Sequence, residues 1–185
     1  MLSILKNLRK ICENEKGGND VSEEQFQIEI DGLGIIFYSP QSAKHIKEGE
    51  DYLRQHYWKP EDVVRHVYDG SIVGIATGTP GVFDLNIYQN TDPDIEKLDP
   101  DFALKLCLNV TDQVVYFRDL YVLLRWEKES AEDIKVDMEN GCYEVIVCSW
   151  IPESGIRGDH QRINLYFNRV ETLPRLHYEG VPSLL

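Results

Sequence analysis

The sequence predicts a mainly β fold, an antiparallel two-sheet β-sandwich with a short helical insertion and an N-terminal helix. Three observations lead there. Apolar and polar residues alternate in short segments such as "FQIEI" and "FALKLCLNV", the period that buries one face of a strand. Glycine, proline and asparagine punctuate those segments. After Gly70 no helical pattern stands between successive strands, whereas a doubly wound α/β fold requires one.

At the start of the chain Leu5, Leu8, Ile11 and Cys12 recur at helical spacing with Lys6, Arg9 and Lys10 between them, the pattern of a short amphipathic helix. Glu13 to Glu24 is charged, contains Gly17 and Gly18 and has no apolar period, so it reads as a linker. The expected division is therefore residues 1–24, helix and linker, and 25–185, the sandwich domain. The helix suits packing on the domain or homo-oligomerisation better than a membrane surface, because it carries three basic residues in an acidic chain.

From Gln25 the period is two, with Phe26, Ile28 and Ile30 on one face, a hairpin turn at Asp31-Gly32 and a second apolar strand. "EGEDYLRQHYW" and "KPEDVVRHV" read as helices, the second with Pro60 at its first position and Glu61 and Asp62 at the positive end of the dipole. Asp69-Gly70 closes it.

"SIVGIAT" and "VFDLNIY" read as strands joined by a hairpin at Thr79-Pro80-Gly81, where proline presets one dihedral and glycine supplies a positive one. Gly74 leaves room for a bulky neighbour. A polar loop runs to Asp101, then Phe102, Leu104, Leu106, Leu108 and Val110 share one face of a strand. Further strands are read at "QVVYF", "LYVLLRW", "IKVDM", "CYEVIVCSW" and "RINLYFNRV", with a hairpin at Glu139-Asn140-Gly141. The closing "TLPRLHYEGVPSLL" is expected to wrap the surface.

The chain has 185 residues, enough to bury a core without disulfides or metals. It carries 32 acidic and 19 basic residues, a net charge of -13, which argues against nucleic acid as a direct partner and for a basic protein. Lys6, Arg9 and Lys10 interrupt any leader-like apolar run, and no stretch is long and apolar enough to span a membrane, so a cytoplasmic location is expected. Cys12, Cys107, Cys142 and Cys148 show no metal-type spacing and read as free thiols.

The motifs for chemistry fail one by one. Gly74, Gly78 and Gly81 have the wrong spacing for a phosphate loop and no lysine follows them. The dinucleotide fingerprint needs a helix where "VFDLNIY" alternates as a strand. His45, His56, His66, His160 and His177 lie in no ligand pattern, and Ser149 has no identifiable base. No cofactor, metal or catalytic residue is expected.

Two features instead suit a partner protein. Asp92, Asp94, Glu96, Asp99 and Asp101 place five carboxylates within ten positions, without the glycine of a calcium loop. Such a cluster can dock a basic surface. Trp58, Trp126 and Trp150 are expected to anchor packing, with Trp58 the candidate for an exposed contact between two helices.

The stretch "DMENGCYEVIVCSWIP" from Asp137, with Gly141, Tyr143, Cys148, Trp150 and Pro152, resembles the late hairpin of the competence protein J family, small bacterial inhibitors of a DNA-entry nuclease. Trp58, the short acidic helix after it and Asp69-Gly70 before a strand are similar to that family's middle segment. The resemblance implies a cytoplasmic β-sandwich that blocks a nuclease or toxin, an immunity-type protein without catalytic activity. The alternative is a structural, self-assembling module that oligomerises through the N-terminal helix.

Overall fold

The computed structural model describes residues 22–176 and 181–184. The expected N-terminal helix lies outside them, and the expected linker ends early, because residues from Ser22 already pair in a strand.

The elements follow in the order β1 (Ser22–Ile30), β2 (Gly34–Tyr38), α1 (Pro40–Ala43), α2 (Tyr52–His56), α3 (Pro60–Asp69), β3 (Ile72–Ala76), β4 (Gly81–Gln89), α4 (Ile95–Leu98), β5 (Phe102–Val110), β6 (Val114–Asp119), a 3-10 turn (Leu120–Leu124), β7 (Ile134–Asp137), β8 (Gly141–Ser149) and β9 (Asp159–Val170). They build a five-stranded sheet, β1-β4-β9-β8-β5, and a four-stranded sheet, β3-β2-β6-β7. The two-sheet expectation holds. The wholly antiparallel one does not, because β9 returns into the gap between β8 and β4 and runs parallel to β4.

The expected hairpins are also corrected. The turns at Asp31-Gly32, Thr79-Pro80-Gly81 and Glu139-Asn140-Gly141 each carry the chain from one sheet to the other, as does the connection from β5 to β6. Side chains clamp these crossings. Asp119 accepts hydrogen bonds from the amides of Asp31 (2.6 Å) and Gly32 (2.9 Å). Ser39 Oγ accepts from the amides of Thr111 (3.1 Å) and Asp112 (3.2 Å), and Asn140 Oδ1 accepts from the amide of Gln113 at 2.8 Å. In the crossing from β3 to β4 Gly78 (φ 74°) and Gly81 (φ 149°) supply the positive dihedrals expected of glycine.

The core lies between the sheets. Phe37 and Phe117 of the four-stranded sheet stack at 5.7 Å, and Phe167 of the five-stranded sheet meets them edge-on at 6.0 and 6.3 Å. On β5 Leu106, Leu108 and Val110 are buried as the alternation predicts.

The outer face of the four-stranded sheet is covered by the chain itself. Arg118 pairs with Asp133 at 2.7 Å, donates to the Glu127 carbonyl at 2.6 Å and lies over the Trp126 ring, so the segment after β6 folds back over β6. That segment is where the sequence reading fails. "LYVLLRW" forms a 3-10 turn capped by Asp119 instead of a strand. It is apolar at nearly every position, so it offers no period to read. α3 matches expectation, with Pro60 in its first turn and Gly70 ending it in the left-handed conformation (φ 57°), and it packs on β3 and β5.

Candidate functional site

The five-stranded sheet leaves its outer face to other uses. Alternation along the strands puts Glu23, Gln25, Gln27 and Glu29 of β1 on that face, followed across the register by Asp84, Asn86 and Tyr88 of β4 and Arg162, Asn164 and Tyr166 of β9. Tyr88 and Tyr166 stack at 4.7 Å, Asn86 donates to Asn164 at 2.8 Å, and the Arg162 guanidinium lies 4.0 Å over the Trp150 ring. Burial, reinforced by the Glu23 carboxylate, pushes the Tyr88 hydroxyl up to about 12.

The acidic segment crosses this face. β4 and β5 run in the same direction, separated in the sheet by β9 and β8. The inner face is filled by the core, so residues 90–101 run from β4 to β5 over the outer face of those two strands. Burial agrees. Cys148, Asn164 and Tyr166 point outward from the sheet yet are 0%, 6% and 5% exposed.

The five candidate carboxylates divide by role. Asp94 caps α4, accepting from the Lys97 amide and pairing with the Lys97 ammonium. Asp101 accepts from the Ile151 amide at 2.8 Å and ties the crossing to the β8–β9 connection. Asp99 ends α4 at φ 43°. Asp92, Glu96 and Asp99 are all exposed. The loop expected here therefore contains a helical turn, but the carboxylates are brought to one exposed connection as the spacing suggests.

Trp58 lies on the other insertion, between α2 and α3, and is 70% exposed. It does not pack. Trp126 (2% exposed) does, and Trp150 is half-buried beneath Arg162. Tyr57 beside Trp58 is buried and donates to the Ile72 carbonyl at 3.0 Å, so the exposed indole stands on a fixed base.

The residues that sequence reasoning missed are those of the sheet face, Glu23, Tyr88, Arg162 and Tyr166. Their signal was present as the polar half of the alternation in "VFDLNIY" and "RINLYFNRV". A second missed group lines an open cleft of ≈ 590 Å³ with His45, Glu48, Glu50, Tyr52 and His56 on its walls. The Tyr52 hydroxyl lies 3.0 Å from His45 Nε2 and 3.2 Å from His66 Nε2, and His66 Nδ1 lies 2.8 Å from Ser71 Oγ.

The two carboxylates of this concave acid and histidine cluster hold backbone amides in place. Glu48 accepts from the Lys128 amide and Glu50 from the Lys47 amide, while the Ser71 amide donates to the His66 carbonyl at the end of α3. Burial, with help from neighbouring His45, holds His66 down at about 4, which makes it a weak base. Among the described residues no group of three or more His, Cys, Asp or Glu is placed to hold a metal ion, and no helix is long and apolar enough to cross a membrane.

No protein-family model matches the chain, and no curated protein matches it. Its fold does resemble solved structures. ComJ of Bacillus subtilis, inhibitor of the DNA degrading activity of NucA, superposes with a TM-score of 0.54 at 8% identity, covering 82% of this chain and 100% of that one. The product of crocagin biosynthetic gene J covers 80% of this chain and 96% of its own, with a TM-score of 0.48 at 11% identity. The likeness to ComJ is one of fold, the sandwich that the Asp137–Pro152 and Trp58–Gly70 resemblance implies.

Proposed function

We propose that this chain is a non-catalytic inhibitor or immunity-type protein that binds a basic nuclease or toxin through the acidic connection on the five-stranded sheet. The observation that carries the reading is the placement of Asp92, Glu96 and Asp99 on a connection that crosses the open face of a fold shared along the whole length of a nuclease inhibitor. Nucleases carry basic clefts for phosphates, and exposed carboxylates on a braced connection offer the same charge in a form that cannot be cleaved. Trp58, exposed on a fixed base, supplies the apolar anchor that a charged surface lacks. A net charge of -13 adds attraction at a distance, so association is fast at low salt and slows as salt rises.

The cytoplasm is the compartment where such an inhibitor protects its own cell, and the three described free cysteines suit it. The test is to mix the purified chain with the products of the genes flanking its own and follow DNA degradation and complex formation across a salt series. Binding that weakens with salt supports the reading; no complex at low salt removes it.

A further inference from the structure

We infer that Tyr52 and the three histidines around it form a proton-operated latch, which fixes the insertion carrying Trp58 while the imidazoles are neutral and releases it when they are charged. His45 comes from the segment before α2, His56 from α2 and His66 from α3. Their rings lie 5.4, 5.0 and 5.9 Å from the Tyr52 ring. Tyr52 is buried. Three of the chain's 5 histidines thus meet on one tyrosine, which ties successive pieces of the insertion together.

The hydrogen bonds form a directed line. Ser71 Oγ donates to the His66 carbonyl at 3.4 Å, which leaves it to accept from His66 Nδ1–H at 2.8 Å. His66 Nε2 then holds a lone pair and accepts the Tyr52 hydroxyl proton at 3.2 Å. The Tyr52 oxygen accepts in turn from His45 Nε2–H at 3.0 Å. Each donor has an acceptor. Burial, with the Glu50 carboxylate, keeps the Tyr52 hydroxyl protonated.

A proton added to His45 Nδ1 leaves this line intact. One added to His66 does not, because both ring nitrogens then donate and the Tyr52 hydroxyl proton loses its acceptor in a buried site. Like charges also gather around one ring. The groups packed against the cluster offer limited compensation. Asp62 and Asp69 of α3 favour a charged His66, but Asp62 is paired with Arg65 at 3.7 Å, and Arg65 opposes it. The 3-10 turn against α2 and strand β3 against α3 carry no charged residue. On β5, Lys105 is paired with Glu144 at 3.0 Å, and Cys107 Sγ donates to the Val67 carbonyl. Tyr57, whose ring lies 5.2 Å from His66, is held by the Ile72 carbonyl.

Trp58 stands in the link between the two helices that the latch joins. The inference rests on the reading above only in treating Trp58 as a partner contact; the latch itself is tested in the free chain. The measurements are nitrogen NMR shifts of the His66 imidazole at neutral pH, and amide exchange of the full chain as pH falls, corrected for intrinsic rates. His66 is expected as the Nδ1–H tautomer. Exchange of residues 45–58 is expected to rise at least about tenfold relative to β8 and β9 between about 6.5 and about 4. His66→Gln, which keeps a donor and an acceptor but takes up no proton, should abolish that rise; if it folds poorly, the two measurements on the native chain decide. The Nε2–H tautomer, or exchange that rises equally in insertion and sheet, overturns the inference. Nuclease inhibition without acid release removes this proposal alone, and acid release without inhibition removes the inhibitor reading alone.

Discussion

A β-carbon placed on Gly74 would lie 2.6 Å from the hydroxyl of Tyr57, closer than any side chain tolerates. Tyr57 is buried and its hydroxyl reaches across β3 to the Ile72 carbonyl. The glycine expected to make room for a bulky neighbour therefore does so for a tyrosine at the end of the α2 segment.

Gly74→Ala should destabilise the fold by about 1–3 kcal/mol, the usual cost of overpacking. Tyr57→Phe removes the atom in the way, so the double variant should cost less than the sum of the singles. Urea unfolding of the three variants checks this, and strict additivity would show that the contact is not the cause.

The buried Arg118–Asp133 pair, with side chains 4% and 3% exposed, pins the segment after β6 to the outer face of the four-stranded sheet. Asp133→Ala strands the guanidinium and should cost about 3–5 kcal/mol. The thermal midpoint and Trp126 fluorescence should shift together, since the cation lies over that indole.

His66 gives the stability a pH dependence of known sign. Its folded value is held at about 4, chiefly by burial, below the ordinary histidine value of about 6.5. The unfolded chain therefore binds the proton first as pH falls. Stability contributed by neutral His66 is complete above about 6.5 and is lost progressively towards about 4. His66→Gln should flatten the slope of unfolding free energy between those limits, and an unchanged slope would assign it to other groups.

The carboxylates of the acidic connection should separate by role. Asp101→Ala removes the acceptor of the Ile151 amide and should cost about 1 kcal/mol of stability. Asp92→Lys and Glu96→Lys, at exposed positions, should leave stability within about 0.5 kcal/mol while weakening association with a basic partner. Paired melting and binding measurements on the same variants distinguish the two classes.

Trp58→Ala should likewise be near-neutral for folding, because the indole is 70% exposed. In the complex it should cost at least about 2 kcal/mol, the mark of an interface anchor. Isothermal titration calorimetry on wild type and variant gives the number.

Much of the strand content was legible because alternation is local. Leu106, Leu108 and Val110 face the core as their spacing requires, and Pro60 and Gly70 bound α3 as helix chemistry dictates. Which sheet a strand joins was not legible, because a tight turn looks the same whether it closes a hairpin or crosses a sandwich. The decision at Asp31-Gly32 rests on the Asp119 carboxylate, which is remote in sequence. "LYVLLRW" misled for the opposite reason, since its folding back depends on Arg118 and Asp133 and not on its own pattern. The acidic cluster was visible as composition, but its position over the open face follows from the strand order β4-β9-β8-β5, which no local signal encodes.

The central claim is that the acidic connection of the five-stranded sheet blocks a basic nuclease. The direct measurement is DNA degradation by the products of the genes flanking this chain's own, titrated with the wild-type chain and with Asp92→Lys/Glu96→Lys. The account predicts stoichiometric inhibition by the wild type, weakened at least about tenfold in the variant and by added salt. Full nuclease activity in excess wild-type chain, or equal inhibition by the charge-reversed variant, would contradict it.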